Sequence, residues 1–143
     1  MKKIFVSLSL MIIVALTATV YAKDIFDVND RVKESFKKEF AGAIAVKWEK
    51  IEDLRAATFV FYDHAVVAYF NDEGELLGSA REVLFYQLPL AVIKSFDKIF
   101  SDADVIEVLE ISNTDGTFYR VTAETPTKRY QVRINANGNV IRS

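Results

Sequence analysis

The sequence predicts an α+β domain built as a tandem repeat. Each unit is a helix followed by an antiparallel strand meander, and both helices pack on one face of a curved antiparallel sheet of up to eight strands. Three observations predict it. First, the helix-spaced residues Val32, Phe36, Phe40, Ala43 and Val46 recur 60 positions later as Val92, Phe96, Phe100, Ala103 and Ile106. Second, strand alternation recurs as well. Phe59 and Phe61 return as Tyr119 and Val121 at the same offset, and Val66, Ala68, Phe70, Gly74 and Leu76 return 64 positions later as Tyr130, Val132, Ile134, Gly138 and Val140. Third, turn sequences punctuate the strands: Asn71-Asp72-Glu73-Gly74, Asp115-Gly116 and Asn137-Gly138.

The chain opens with Met1-Lys2-Lys3, an apolar run over residues 4–20, and then Val20-Tyr21-Ala22 with short residues where a signal peptidase reads. This is the pattern of a secretory signal peptide, residues 1–22, cleaved after Ala22. The run is short for a membrane span and no basic stop-transfer cluster follows it. The absence of cysteine excludes a lipid-anchored lipoprotein and a disulfide framework. Residues 23–143 then form one domain of 121 residues in two repeats, about 28–83 and 88–142. That length buries enough surface for a core without staples. It carries 16 Lys and Arg (18 less Lys2 and Lys3) against 20 Asp and Glu, a net charge of −4. That balance argues against a nucleic acid or an anionic membrane surface as partner.

In order, Asn29 or Asp30 caps the first helix, with Asp30 and Glu34 at its positive end. Val32, Phe36 and Phe40 make a narrow apolar stripe, and Gly42 stops the helix. Ile44, Val46 and Trp48 alternate as a first strand, followed by a polar connection over 49–53. Residues 55–62 and 65–71 form a hairpin about Asp63-His64, where positive φ is tolerated. Gly74 takes the left-handed position of the next turn, and residues 76–83 make a fourth strand. Residues 84–88 link the halves, and Pro89 fits the first turn of the second helix. The stripe Val92, Ile93, Phe96, Ile99 and Phe100 is wide, so this helix is expected to be the better buried. Residues 105–111, 118–125, 129–135 and a short 140–142 complete the strands. Alternation puts Phe59, Phe61, Val66, Ala68 and Phe70 in one core with Tyr119, Val121, Tyr130, Val132 and Ile134.

These residues resemble the PepSY-like family of exported bacterial proteins, also called beta-lactamase-inhibitor-like. The matching marks are the leader, Val32-x3-Phe36-x3-Phe40-x2-Ala43-x2-Val46-x-Trp48, Phe59-Val60-Phe61, Tyr69-Phe70-Asn71-Asp72-Glu73-Gly74-Glu75-Leu76, Leu88-Pro89-x2-Val92, and the closing Asn137-Gly138 turn. They span the whole of residues 23–143. The resemblance implies a tandem repeat, a curved sheet and a periplasmic home. It also implies a fold shared with a secreted inhibitor that grips its target enzyme through aromatics on the exposed sheet face. That inhibitor's disulfides have no counterpart in this chain. Two turns depart from the family pattern: Ala41-Gly42, where Pro is common, and Asp63-His64, where a Gly-containing turn is commoner.

No catalytic constellation is legible. His64 is the one histidine, and with no cysteine there is no nucleophile motif around it and no set of zinc ligands. The acidic Asn71–Glu75 stretch lacks the alternating ligand spacing of a calcium loop. Asp102 and Asp104 read as solvated caps. The expectation is therefore no catalytic residue, no metal and no cofactor. What rises above background is an asymmetry. Strand positions pointing away from the helices read Arg120, Thr122, Glu124, Gln131 and Arg133 in the second repeat, an ordinary wet face. In the first they read Val60, Tyr62, His64, Val67 and Tyr69, apolar and aromatic. With Trp48 near by, they are the candidate binding residues for a protein partner, and Val60, Tyr62 and Tyr69 are expected to be jointly part-exposed. The alternative is a small-ligand or peptide-binding domain with an apolar pocket between helix and sheet. Oligomeric state is left open.

Overall fold

The computed structural model describes residues 27–142, so the leader expected at residues 1–22 lies outside the described residues. Helix α1 (Asp30–Glu39) precedes strands β1 (Ile44–Ile51), β2 (Leu54–Phe61), β3 (His64–Phe70) and β4 (Leu76–Glu82). A 3₁₀ turn (Phe85–Gln87) leads into α2 (Leu90–Ile99), then β5 (Asp104–Asn113), β6 (Gly116–Glu124) and β7 (Arg129–Asn135). The seven strands form one antiparallel sheet in chain order, β1 to β7. The closing segment adds only a single bridge, Ile134 to Val140, so the described sheet stops short of eight strands.

Local chemistry accounts for each element. The Asn29 side chain accepts from the Val32 N–H at 3.0 Å and so caps α1, while Lys37 and Lys38 sit in its last turn. Gly42 follows with φ +92°. Pro89 stands at the N-cap of α2, one position before the helix. β1 runs on through the stretch expected to be a connection and turns at Glu52-Asp53. It is an edge strand with mostly exposed side chains, so its apolar alternation fades while its hydrogen bonding to β2 continues. The β2–β3 turn is Tyr62-Asp63, with φ +47° and +64°, and not Asp63-His64. Two consecutive left-handed residues match the twist of a two-residue hairpin. Between β5 and β6 the turn is Thr114-Asp115, and Gly116 (φ +122°) opens β6 opposite Asn113.

Several residues 60 or 64 positions apart sit in similar surroundings. Exposure follows an identical pattern over 31–40 and 91–100. Phe36 meets Phe40 at 5.6 Å and 39°, and Phe96 meets Phe100 at 5.4 Å and 41°. β1 shifts register between Ile44 and Lys47, and β5 between Val105 and Glu107. The Asn71 carbonyl side-chain oxygen accepts from the Glu75 N–H at 2.9 Å, and that of Asn135 from the Asn139 N–H at 3.0 Å. Gly74 lies against the Arg31 carbonyl and Gly138 against the Ala91 carbonyl, so tightly that a Cβ would come within 2.8 and 2.7 Å. Each turn therefore presses on the first turn of its own helix.

Both helices cover the same face of the sheet, but over two clusters and not the single expected core. Val28, Val32 and Phe36 pack on Ala57, Phe59, Val66, Ala68 and Phe70, with Phe40, Trp48 and Phe61 at the margin. Leu88, Val92 and Phe96 pack on Val83, Val108, Tyr119, Val121, Ala123 and Ile134. Tyr130 joins through Phe100 at 4.9 Å. The wider stripe of α2 does not make it the better buried helix. Each helix buries two residues, Val32 and Phe36 or Val92 and Phe96, and Ile99 is 45% exposed.

Candidate functional site

The site expected from the sequence does not assemble as one patch. Tyr62 is 81% exposed at the hairpin tip, and Val60 is half-buried. Val67 and Tyr69 are buried at 0% exposure, which corrects the expectation that Val60, Tyr62 and Tyr69 are jointly accessible. His64 pairs with Phe61 and begins β3, so it shares the helix-covered face with Val66 and Ala68. Placing it with Val60 and Tyr62 carries the β2 alternation past the turn, and a one-residue error in the turn reverses the face. Trp48 is also on the helix side. It is half-buried, 5.2 Å edge-on to Phe36 and 6.0 Å from Phe70.

The helix-free face holds a third apolar layer instead. Cross-strand pairing places Glu49, Ala56, Tyr69 and Gly78 in one row, and Lys47, Thr58, Val67, Ala80, Ile111 and Phe118 in the next. Ala56, Val67, Tyr69, Ala80, Leu109 and Ile111 are buried together, with Ile51, Leu54 and Phe118 packed against them. Small neighbours, Ala56 and Gly78, leave room for the Tyr69 ring to settle into this layer. In the second half the expected wet face is only partly wet. Arg120 is 1% and Thr122 8% exposed, while Gln131 is exposed. Leu109 pairs with Arg120, so the guanidinium is set at the margin of an apolar layer.

Electrostatics follow from that burial. The Tyr69 hydroxyl makes no hydrogen bond, and its pKa is pushed up to about 12. Loss of solvent is the main cause, the Glu49 carboxylate adds to it, and Arg120 opposes it. Burial draws Arg120 below the ordinary guanidinium range, against the pull of Glu107. On the opposite face, between the two helix-covered clusters, His64, Arg81, Val83, Gln87, Leu88, Glu110 and Tyr119 line an open cleft of about 160 Å³. Arg81 Nε pairs with Glu110 Oε1 at 2.8 Å. Burial, then the charge of and hydrogen bond to Glu110, raise the Tyr119 pKa. The cleft brings His64 no serine, cysteine or threonine partner. Among the described residues, no group of three or more His, Cys, Asp or Glu could hold a metal, and no helix is long and apolar enough to cross a membrane.

Sequence reasoning missed Leu109, Ile111, Phe118 and Arg120 as members of a second layer. The signal was a single doublet: Val108 and Leu109 are consecutive apolar residues, and consecutive strand side chains point to opposite faces.

Comparison with known proteins places the fold. Neither a protein-family model nor a curated protein sequence matches the chain. Solved structures do match. A BLIP-like protein from Bacteroides fragilis is 21% identical with a TM-score of 0.75, the match covering 82% of this chain and 85% of that one. A Bacteroides eggerthii protein provisionally named periplasmic is 21% identical with a TM-score of 0.75, covering 82% and 88%. A DUF2874 family protein from Bacteroides ovatus is 17% identical with a TM-score of 0.76, covering 82% and 86%. At these identities the likeness is one of fold: two helices and an antiparallel sheet in the BLIP-like arrangement.

Proposed function

We propose that this chain is an exported, periplasmic, non-enzymatic binding module that takes a protein partner on the helix-free face of its sheet. The observation that carries this reading is the half-buried apolar rim of Ile51, Leu54 and Phe118 around the buried layer of Val67, Tyr69, Ala80, Leu109 and Ile111, on a face to which no described helix contributes. In a sheet covered by helices on one side, the other side is normally wet and alternates polar. Its half-buried border offers Ile51, Leu54, Thr58, Val60 and Phe118 as contact area, with Tyr62 at the hairpin tip beyond. The named periplasmic and BLIP-like neighbours agree with such a role, and a hydrolase is one class of partner. The pairing of the two halves residue by residue supports descent from one copied helix-and-meander unit, and so the PepSY-like reading.

The alternative, a small-ligand pocket between helix and sheet, draws less support. The cleft around His64 is about 160 Å³ and lined by an ion pair, whereas ligand pockets run to roughly 300 Å³ and more and are mostly apolar.

The test is affinity capture from periplasmic extract with the wild type, the border variants Leu54→Arg and Phe118→Arg, the tip variant Tyr62→Ala, and Lys94→Glu on α2. A partner retained by wild type and Lys94→Glu but lost by the border variants is the expected result. Equal capture by Leu54→Arg and Phe118→Arg would remove the helix-free face from consideration.

A further inference from the structure

The two edges of the sheet are finished differently. At β7 the chain returns along the outer edge: the Ile141 N–H donates to the Arg133 carbonyl at 2.8 Å, and the Asn135 N–H to the Asn139 carbonyl at 2.9 Å. At β1 no described residue does this, and β1 pairs only with β2. Such an edge presents unpaired N–H and C=O groups to any suitable strand. The corresponding strand of the second half accepts one over its later part, the counterpart of residues 49–53. β5 carries the same register shift near its start, and β4 runs antiparallel along it from Leu109 to Asn113.

We propose that β1 pairs antiparallel with β1 of a second copy of this chain, about a two-fold axis at Trp48. Charge complementarity selects this occupant and this register. Lys47 and Glu49 are exposed neighbours on the helix-free face, either side of Trp48, which faces the helix side. With the axis at Trp48, each Lys47 stands opposite the other copy's Glu49, giving two cross-strand ion pairs on one face. The two half-buried Trp48 side chains meet on the other face, beside Phe36. Moving the axis by one residue sets Lys47 against Lys47 or Glu49 against Glu49, which repel. Moving it further towards the start of the strand runs into the irregular segment at Ala45, where φ is +55°. The axis stands normal to the sheet, so both helix-free faces end on the same side of one continuous sheet. This contact stands independently of the function proposed above, since it needs only the edge of β1.

The test is the mass of the exported protein, purified from the periplasm, over a concentration series by sedimentation and light scattering. The wild type is expected to approach twice the single-chain mass. Lys47→Glu and Glu49→Lys should each return it to one chain, and the double variant Lys47→Glu/Glu49→Lys should restore the doubling. Both residues are exposed, and circular dichroism checks that each variant keeps its fold. Because the chain has no cysteine, a Lys47→Cys chain mixed with a Glu49→Cys chain gives a clean second readout: a mixed disulfide on mild oxidation. A single-chain mass at every concentration without the mixed cross-link overturns the proposal. So does a dimer that survives both single reversals, because another surface would then hold the copies together.

Discussion

Tyr69 keeps a hydroxyl where water does not reach and no acceptor meets it. A buried polar group without a partner costs stability, so Tyr69→Phe is expected to be neutral or slightly stabilising in urea unfolding at pH 7. The same residue sets an alkaline limit. An unfolded tyrosine ionises near 10, whereas the folded one holds its proton to about 12. The folded pKa is the higher, so this contribution is complete below about pH 10 and is lost as pH rises towards about 12, amounting to about 3 kcal/mol. Urea midpoints measured from neutral pH upwards should fall through that window in the wild type and fall less in Tyr69→Phe. Glycines offer a second test. Gly42 (φ +92°) has open space around it, so Gly42→Ala should cost only the left-handed strain, about 1 kcal/mol. Gly74→Ala and Gly138→Ala add a clash with the Arg31 or Ala91 carbonyl, and each should cost about 3 kcal/mol or more by thermal unfolding. If all three behaved alike, the turn-on-helix contact would not be a structural constraint.

The two helices make the same use of different sequences. α1 is mostly polar about Val32 and Phe36, and α2 is far more apolar, yet each buries only its two residues aimed at the sheet. Phe36→Ala and Phe96→Ala should therefore cost similar amounts, about 3–5 kcal/mol each in urea unfolding. Phe61→Ala should cost less, since Phe61 is half-buried at a cluster margin. These elements were legible in the sequence because period and turn chemistry are local: four-residue spacing announces a helix, and Asn-Gly announces a turn. β1 was cut short because an edge strand with both faces largely wet carries little alternation. The β2–β3 turn slipped by one residue because Tyr62, a bulky residue at φ +47°, is an unusual choice for a left-handed position. That slip moved His64 to the wrong face.

Taken whole, the described molecule is a sheet with one face under helices and a helix-free face that is dry at its centre and wet towards both edges. The partner capture and the charge-reversal series above address its free face and its free edge separately, so one can fail while the other holds. The order of elements, the antiparallel hairpins and most of the residues facing the helices, though not His64, were determined by the sequence alone, because each depends on neighbours a few positions away. The fate of the helix-free face was decided only by tertiary structure. Tyr69, Leu109 and Arg120 come from three strands spread over 52 positions (69 to 120, both ends counted), and only sheet register brings them together. Alternation tells which way a side chain points, but whether that direction leads into water depends on what the rest of the chain sets beside it.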